Sequence, residues 1–226
     1  LLRPFELGAQ IVVHSVTKYL AGHGDVLGGV VLCDETHAPL LTALMRTCGP
    51  VLGPFDSYLT MRGIKTLPLR LERQCQNAKQ LAGWLARHPR VEKVYFPGHN
   101  DHPDAGTVRR LFPEGMYGGM VSFELKGAGQ DQVFAFLNRL QLVVKATSLG
   151  DVHTMVLYPV MSSHRDVPPK QRQRMGIREN LLRVSVGIEA IEDIIADFEH
   201  ALQDQLPCFK TVTDSTENEQ FTGFAT

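Results

Sequence analysis

The stretch from His14 to Gly29 reads HSVTKYLAGHGDVLGG and decides how the chain is interpreted. It lies between two short apolar runs, IVV before it and VVL after it, which predict buried strands. Lys18 stands between these strands, and the hydroxyl residues Ser15 and Thr17 precede it. A neutral lysine amine attacks carbonyl compounds, and hydroxyls together with free backbone N–H groups bind phosphate. The stretch therefore suits a phosphate-bearing aldehyde, although a solvated lysine beside an ordinary turn has the same pattern.

The glycines of this stretch do not form a nucleotide-binding motif. Gly22 and Gly24 match the first two glycines of the dinucleotide pattern, but Leu27 occupies the position of the third. No Gly-Lys-Ser/Thr sequence of the phosphate-loop type occurs in the chain. Both nucleotide interpretations are excluded.

The composition narrows the class of protein. The 226 residues are 43% hydrophobic with a formal net charge of −1, which is typical of a globular chain with one large or two small domains. We expect no nucleic-acid partner because no basic block is present, and no membrane contact because no apolar run reaches the length of a span. The cysteines lack C-x-x-C spacing, so we expect free thiols in a reducing compartment. They are Cys33, Cys48, Cys75 and Cys208.

The hydrophobic pattern predicts an α/β fold. Strands are predicted at 11–13, 30–32, 91–96, 120–125, 142–145 and 181–186, and helices at 36–47, 55–62, 67–88, 104–111, 131–139 and 191–202. We place a domain boundary near Pro68, so that residues 1–68 form part of one domain and residues 69–206 form a second α/β domain. Residues 207–226 are polar without a period, and we expect a disordered tail.

Arg183 is a second candidate for chemistry because it lies within the apolar run LLRVSV at 181–186. A buried arginine keeps its charge and needs an anion or carbonyl groups as partners. Its planar fork suits an amino-acid carboxylate bound through two hydrogen bonds. The alternative is an arginine on the solvent face of a half-buried strand.

A metal site is not predicted. His99, Asp101, His102 and Asp104 are close in sequence, but the letters HNDHPD are typical of a polar loop. A metal site needs three or four ligands that converge on one point.

Six further segments join the lysine stretch in a resemblance to the cysteine/methionine-metabolism family of pyridoxal-phosphate (PLP) enzymes, the trans-sulfuration enzymes. The resemblance extends from Leu1 to about Leu202 and depends on the order of the motifs. The segments are PFDSY at 54–58, RGIKTL at 62–67, VEKVYFPG at 91–98, GGMVSF at 118–123, SLG at 148–150 and LRVSVGIE at 182–189.

The resemblance implies a PLP-dependent transferase fold of type I, which is aspartate aminotransferase-like. This chain would form the C-terminal part of the large domain and the small C-terminal domain. The resemblance implies that Lys18 carries PLP as an internal aldimine, with the phosphate held partly by Ser15 and Thr17. It also implies that Ser148 and Arg183 bind the substrate, chiefly through its carboxylate.

The implied activity is elimination at Cγ or Cβ of cystathionine, methionine or homocysteine. Thr147 stands where cystathionine γ-lyases often have glutamate, so the preference among these substrates stays open. The alternative within the same class is γ-replacement on an O-acyl-homoserine by a synthase or sulfhydrylase. The non-enzymatic alternative is an inactive truncated subunit with a structural role.

The resemblance further implies a cytoplasmic homotetramer built as a dimer of dimers. Family members have an upstream segment with a ring that stacks on PLP and an aspartate that pairs with the pyridine nitrogen. The sequence starts at Leu1 without a counterpart of these groups, so we expect residues 1–226 alone to be inactive.

Overall fold

The computed structural model describes residues 1–203 of the 226-residue chain. The strands in this part are β1 Ile11–Ser15, β2 Gly29–Cys33, β3 Val91–Tyr95, β4 Met120–Leu125, β5 Val144–Lys145, β6 Met155–Leu157 and β7 Leu181–Ser185. The helices are α1 Ala38–Cys48, α2 Pro54–Lys65, α3 Leu67–Leu85, α4 Ala105–Leu111, α5 Gln130–Arg139, α6 Pro169–Arg174 and α7 Ile191–Gln203. The tail predicted for residues 207–226 lies outside the described residues.

The first sheet has two antiparallel strands and little core. β1 pairs with β2 from Ile11 opposite Cys33 to Ser15 opposite Gly29. Many large apolar side chains stay exposed on this part of the molecule, among them Val13, Leu27, Leu40, Val51, Phe55 and Met61. An apolar surface of this kind is typical of a contact face.

The second sheet contains the main hydrophobic core. Its strand order is β3-β4-β7-β6-β5, and every pair is antiparallel except the parallel pair β5/β6. Alternate side chains of β4 and β7, such as Phe123 and Leu182, are fully buried and belong to the cluster formed with α3, α5 and α7. The intervening residues Ser122 and Arg183 face the other side, where they are opposite each other in the β4/β7 register.

Helix α3 connects the two sheets. Its amides make long-range hydrogen bonds to the second part of the chain: Gln74 Nε2 donates to Asp151 O at 2.7 Å, and Asn77 Nδ2 donates to Gly187 O at 3.1 Å. The boundary predicted near Pro68 falls in the first turn of this helix and stays a prediction.

The structure corrects the strand predicted at 142–145, since β5 contains only Val144 and Lys145. The reason is a carboxylate on α7. Asp197 accepts the backbone N–H groups of Gln141, Leu142 and Val143 at 2.8, 3.0 and 2.9 Å, so these groups are not available for a strand ladder.

One strand and one α-helix were not predicted. β6 consists of Met155–Leu157, whose three residues are all buried and therefore show no alternation of polar and apolar residues. α6, Pro169–Arg174, has no buried residue. Its sequence therefore lacks the apolar stripe from which a helix is predicted.

Two expectations from composition can be compared with residues 1–203. Cys33, Cys48 and Cys75 are free thiols, and Cys208 lies outside the described residues. In the same part of the chain, none of the helices combines the length and the apolar character needed to span a membrane.

Candidate active site

Lys18 lies in one wide helical turn that directly follows β1. The turn spans Val16–Leu20, and its backbone departs from helical geometry at Lys18, with φ −92° and ψ −132°. Val16 and Ala21 are each only 1% exposed, and they pack with Val26. Because side chains before and after Lys18 are buried, packing fixes the position of the lysine backbone.

Arg70 on α3 binds the backbone carbonyl groups at the C-terminal end of this turn. Its side chain is buried, and the guanidinium donates to the carbonyl oxygens of Tyr19, Leu20 and Gly63 at 3.0, 3.4 and 2.8 Å. Burial lowers the pKa of Arg70, while the nearby Asp151 raises it. The guanidinium remains charged at neutral pH, so the hydrogen bonds to the three carbonyls are charge-assisted.

Ser148 approaches Lys18 from a distant part of the chain. Lys18 Nζ donates to Ser148 Oγ at 2.9 Å. The loop that contains Ser148 turns at Gly150, where φ is +80°. A Cβ on Gly150 would lie 2.8 Å from the backbone nitrogen of Tyr19, so only glycine allows the loop to pack this closely against the lysine turn.

Arg183 contacts the same loop. Its Nη2 donates to the carbonyl oxygens of Thr147 and Ser148 at 3.2 and 3.3 Å. Its Nε is buried and has no hydrogen-bond partner among residues 1–203. Burial lowers the pKa of Arg183, and the interaction with Tyr19 opposes this shift. A cationic fork with an unpaired N–H therefore lies beside the loop that also contacts Lys18.

The two hydroxyls predicted to hold phosphate have different surroundings. Ser15 lines a cleft together with Lys18, and its hydroxyl makes no hydrogen bond within the described part of the chain. Thr17 Oγ1 accepts the Gly28 N–H at 2.9 Å and donates to the Gly28 carbonyl at 3.3 Å. The Thr17 hydroxyl therefore closes the glycine loop, and its single proton is already directed to a backbone oxygen.

The cleft beside Lys18 has a volume of about 820 Å³. This volume is within the range typical of small-molecule sites in proteins. Side chains from the second sheet contribute to it, including Tyr95, His102 and Tyr117. Burial and a hydrogen bond to Glu124 raise the pKa of Tyr95 to about 12, so Tyr95 is a neutral hydroxyl at physiological pH.

The acidic and histidine residues of the 99–104 segment do not form a metal-binding cluster. Throughout residues 1–203, no group of three or more His, Cys, Asp and Glu side chains is arranged to hold a metal ion. His102 Nδ1 instead accepts the backbone N–H of Asp104 at 3.1 Å.

Sequence reasoning missed the residues of α3 that support the lysine turn. Arg70, Gln74 and Asn77 are buried polar residues with the spacing i, i+4 and i+7. The sequence did contain a signal for these residues, because polar residues at helical spacing next to an apolar stripe indicate a buried polar face. Gly22 belongs to the lysine motif, and packing explains why this position is glycine. A Cβ there would overlap the Arg70 guanidinium.

Comparisons with known proteins show the family of the chain. The family model described as Cys/Met metabolism PLP-dependent enzyme matches residues 1–203. The chain belongs to this family. It is 44% identical over 202 residues to a cystathionine β-lyase from Coxiella burnetii, covering 88% of this chain and 51% of the relative.

Two further comparisons describe the extent of the likeness. The chain is 45% identical over 205 residues to an L-methionine γ-lyase from Pseudomonas putida, covering 90% of this chain and 51% of the relative. The crystal structure of a cystathionine γ-lyase from Micromonospora echinospora superposes with a TM-score of 0.85 at 36% identity, covering 90% of this chain and 53% of that one. The chain thus spans about half the length of these relatives, and the predicted α/β fold of PLP-dependent enzymes is confirmed.

The residues around Lys18 fit the cofactor of this family in part. The Lys18 amine, the unengaged Ser15 hydroxyl and the unpaired Arg183 Nε match an aldehyde, a phosphate and an anionic substrate. Thr17 would reach phosphate only by giving up its bond to the Gly28 carbonyl, which at 3.3 Å is the longer of its two bonds.

We predict that Arg70→Lys weakens the support of the lysine turn. Lysine keeps the charge but loses the planar fork, so at least two of the three backbone carbonyls lose their donor. The expected loss in the free energy of unfolding is about 2–4 kcal/mol, measured by urea denaturation. Arg73→Lys is the matched control, because Arg73 is an exposed arginine on the same helix. Equal losses from the two variants would contradict the role given to Arg70.

Proposed function

We propose that this protein uses PLP, held covalently by Lys18, to eliminate the sulfur substituent from Cγ or Cβ of a sulfur amino acid. The proposed substrates are cystathionine, methionine and homocysteine. The single observation that carries the proposal is that Lys18 and Arg183 both form hydrogen bonds to Ser148. Ser148 Oγ accepts from Lys18 at 2.9 Å, and the Ser148 carbonyl accepts from Arg183 at 3.3 Å.

The relatives support a lyase in particular. Proteins named cystathionine β-lyase and L-methionine γ-lyase share 44% and 45% of their aligned residues with this chain. Because the chain spans about half of their length, the activity of the whole protein is part of the proposal.

Arg183 is proposed to bind the substrate carboxylate. An amino acid brings a planar anion, and a guanidinium binds such an anion through two parallel hydrogen bonds. Nη2 already donates to the carbonyls of Thr147 and Ser148, so the fork is held in one orientation before the substrate arrives. A pre-oriented fork places the α-carbon reproducibly and lowers the entropy cost of binding.

Lys18 is proposed to move the protons of the reaction. Bound PLP supplies an electron sink for charge that develops at the substrate's α-carbon. The Lys18 amine would take the proton from the substrate's Cα as a general base and return that one proton to a neighbouring atom as a general acid. The Ser148 hydroxyl keeps Nζ near this path by the 2.9 Å hydrogen bond.

We also propose a homotetramer, built as a dimer of dimers, that acts in the cytoplasm. The exposed apolar side chains on α1 and α2, such as Leu40, Phe55 and Met61, provide the kind of surface that a subunit contact covers. Free thiols at Cys33, Cys48 and Cys75 suit a reducing compartment.

The covalent role of Lys18 has a direct test in the protein expressed from its natural gene. Borohydride reduction of the PLP-loaded protein, followed by peptide mapping, should place the label on Lys18. Lys18→Ala should lose the label and the visible-edge absorbance, whereas the control Lys65→Ala at the end of α2 keeps both. A label on Lys65 or Lys145 would show that the assignment is wrong.

The type of reaction is tested by the products. Elimination from methionine, homocysteine or cystathionine should give an oxo-acid, ammonia and a thiol, with modest discrimination among the three substrates. Efficient formation of cystathionine or homocysteine from an O-acyl-homoserine, without an oxo-acid, would instead assign the protein to the replacement enzymes.

The carboxylate role predicts a specific kinetic result for Arg183→Lys. The variant keeps the charge and loses the fork, so KM should rise about 10- to 100-fold, because hydrogen bonds to charged groups contribute about 1.5–3 kcal/mol. The absorbance of the bound cofactor should persist. Arg174→Lys, an exposed change on α6, is the control and should leave KM unchanged. Unchanged kinetics with reduced stability in Arg183→Lys would make this arginine structural.

A further inference from the structure

The loop from Thr147 to Gly150 contacts both groups that the proposed reaction needs. The Ser148 side chain accepts from Lys18, and the carbonyls of Thr147 and Ser148 accept from Arg183. The distance between the lysine amine and the arginine fork therefore depends on the conformation of four residues. Whatever fixes this loop also fixes the site.

The two ends of the loop are held differently. At its start, the Ala146 N–H donates to the Val156 carbonyl at 3.2 Å, which is part of the pairing with β6. At its end, the Gly150 N–H donates to the Ser185 hydroxyl at 2.8 Å. At the Gly150 end, which lies next to the lysine turn, the loop is therefore held by the Ser185 side chain and not by sheet pairing.

Ser185 links strand β7 to the 147–150 loop. It lies on β7 two residues after Arg183, so both side chains project from the same face of the sheet. Its side chain is buried, with only 1% of the residue exposed. Tyr19, which directly follows Lys18, packs on Gly150.

We propose that Ser185 is a positioning residue of the active site, an inference that rests on the proposed function. Its hydroxyl accepts the Gly150 N–H and so holds the 147–150 loop in contact with Lys18 and Arg183 at the same time. In this proposal Ser185 acts through the loop and not by direct contact with substrate or cofactor. Without its hydroxyl, the buried Gly150 N–H has no partner, and the loop shifts toward another acceptor.

The expected effect is on rate and substrate binding more than on folding. A displacement of about 1 Å at a positioned group costs about 100-fold in rate. In the holoenzyme from the natural gene, Ser185→Ala should lower kcat/KM about 10- to 100-fold. Ser185→Thr keeps the hydroxyl and should recover kcat/KM to within about threefold.

Thr154 offers a matched control for the loss of a buried hydroxyl. Thr154 is fully buried, and its Oγ1 accepts the Gly187 N–H at 2.9 Å, away from the 147–150 loop. The Thr154 hydroxyl also donates to Glu189 Oε2 at 2.8 Å. Thr154→Val should therefore lower the melting temperature at least as much as Ser185→Ala while leaving kcat/KM unchanged. A merely structural role for Ser185 would make the two variants behave alike.

A second measurement does not depend on activity. In cofactor-free protein, the rate of reductive methylation of Lys18 by formaldehyde is compared with that of Lys65 by peptide mass spectrometry. Ser185→Ala should change this ratio at least about threefold, because the Ser148 hydroxyl no longer restrains the amine. Thr154→Val should not change it. If Ser185→Ala does not fold, Ser185→Cys provides the same comparison with a weaker acceptor of similar size.

The outcomes separate this inference from the proposed function. If Ser185→Ala and Ser185→Cys both keep kcat/KM and the Lys18 methylation ratio, the positioning role is overturned. If wild-type protein carries no PLP on Lys18, the proposed function fails, and the methylation ratio still decides the role of Ser185.

Discussion

The hydrogen bond between Lys18 Nζ and Ser148 Oγ is the contact on which the rest of the site depends. It joins residues 130 positions apart at 2.9 Å, one beside the small sheet and one on a loop of the large sheet. The bond by itself contributes little to stability, about 0.5–3 kcal/mol for bonds of this kind. Its importance is geometric, because it exists only when both parts of the chain are held in register. Packing and buried polar contacts elsewhere provide that register.

Helix α3 does much to hold the two parts of the chain in register. It does so through buried polar side chains. Arg70 holds the carbonyls after Lys18, and Gln74 holds the Asp151 carbonyl just after the serine loop. Asn77 holds the Gly187 carbonyl just after β7. Apolar residues at these positions would pack equally well. They would not form hydrogen bonds to specific backbone carbonyls in three separate segments. Burying these side chains therefore favours one arrangement of the segments over other compact arrangements.

The sequence was sufficient for the parts of the fold and site that depend on local pattern. Lys18, Ser148 and Arg183 were found from motifs, and the structure brings them together. The α/β fold followed from periodicity and resemblance. The roles given to Lys18, Ser148, Arg183, Ser15 and Thr17 stay predictions, and the structure shows that Thr17 is hydrogen-bonded to Gly28.

What the sequence did not reveal depends on contacts between distant residues. The shortened β5 results from Asp197, more than fifty positions away, which takes the N–H groups of residues 141–143. β6 has three buried residues and no alternation, so its pattern could not be separated from that of a loop or a helix. The support from Arg70 required knowledge of which helix face meets the lysine turn. In each case a tertiary contact, and not local preference, decides the structure.

A double-mutant cycle between Lys18→Met and Ser148→Ala in cofactor-free protein tests the central contact most directly. The free energy of unfolding is measured for the wild type, the two single variants and the double variant. A coupling energy of about 1–2 kcal/mol is predicted, because each single variant removes the same charge-assisted bond. Additive effects within about 0.3 kcal/mol would contradict the account, since residues that do not touch show no coupling.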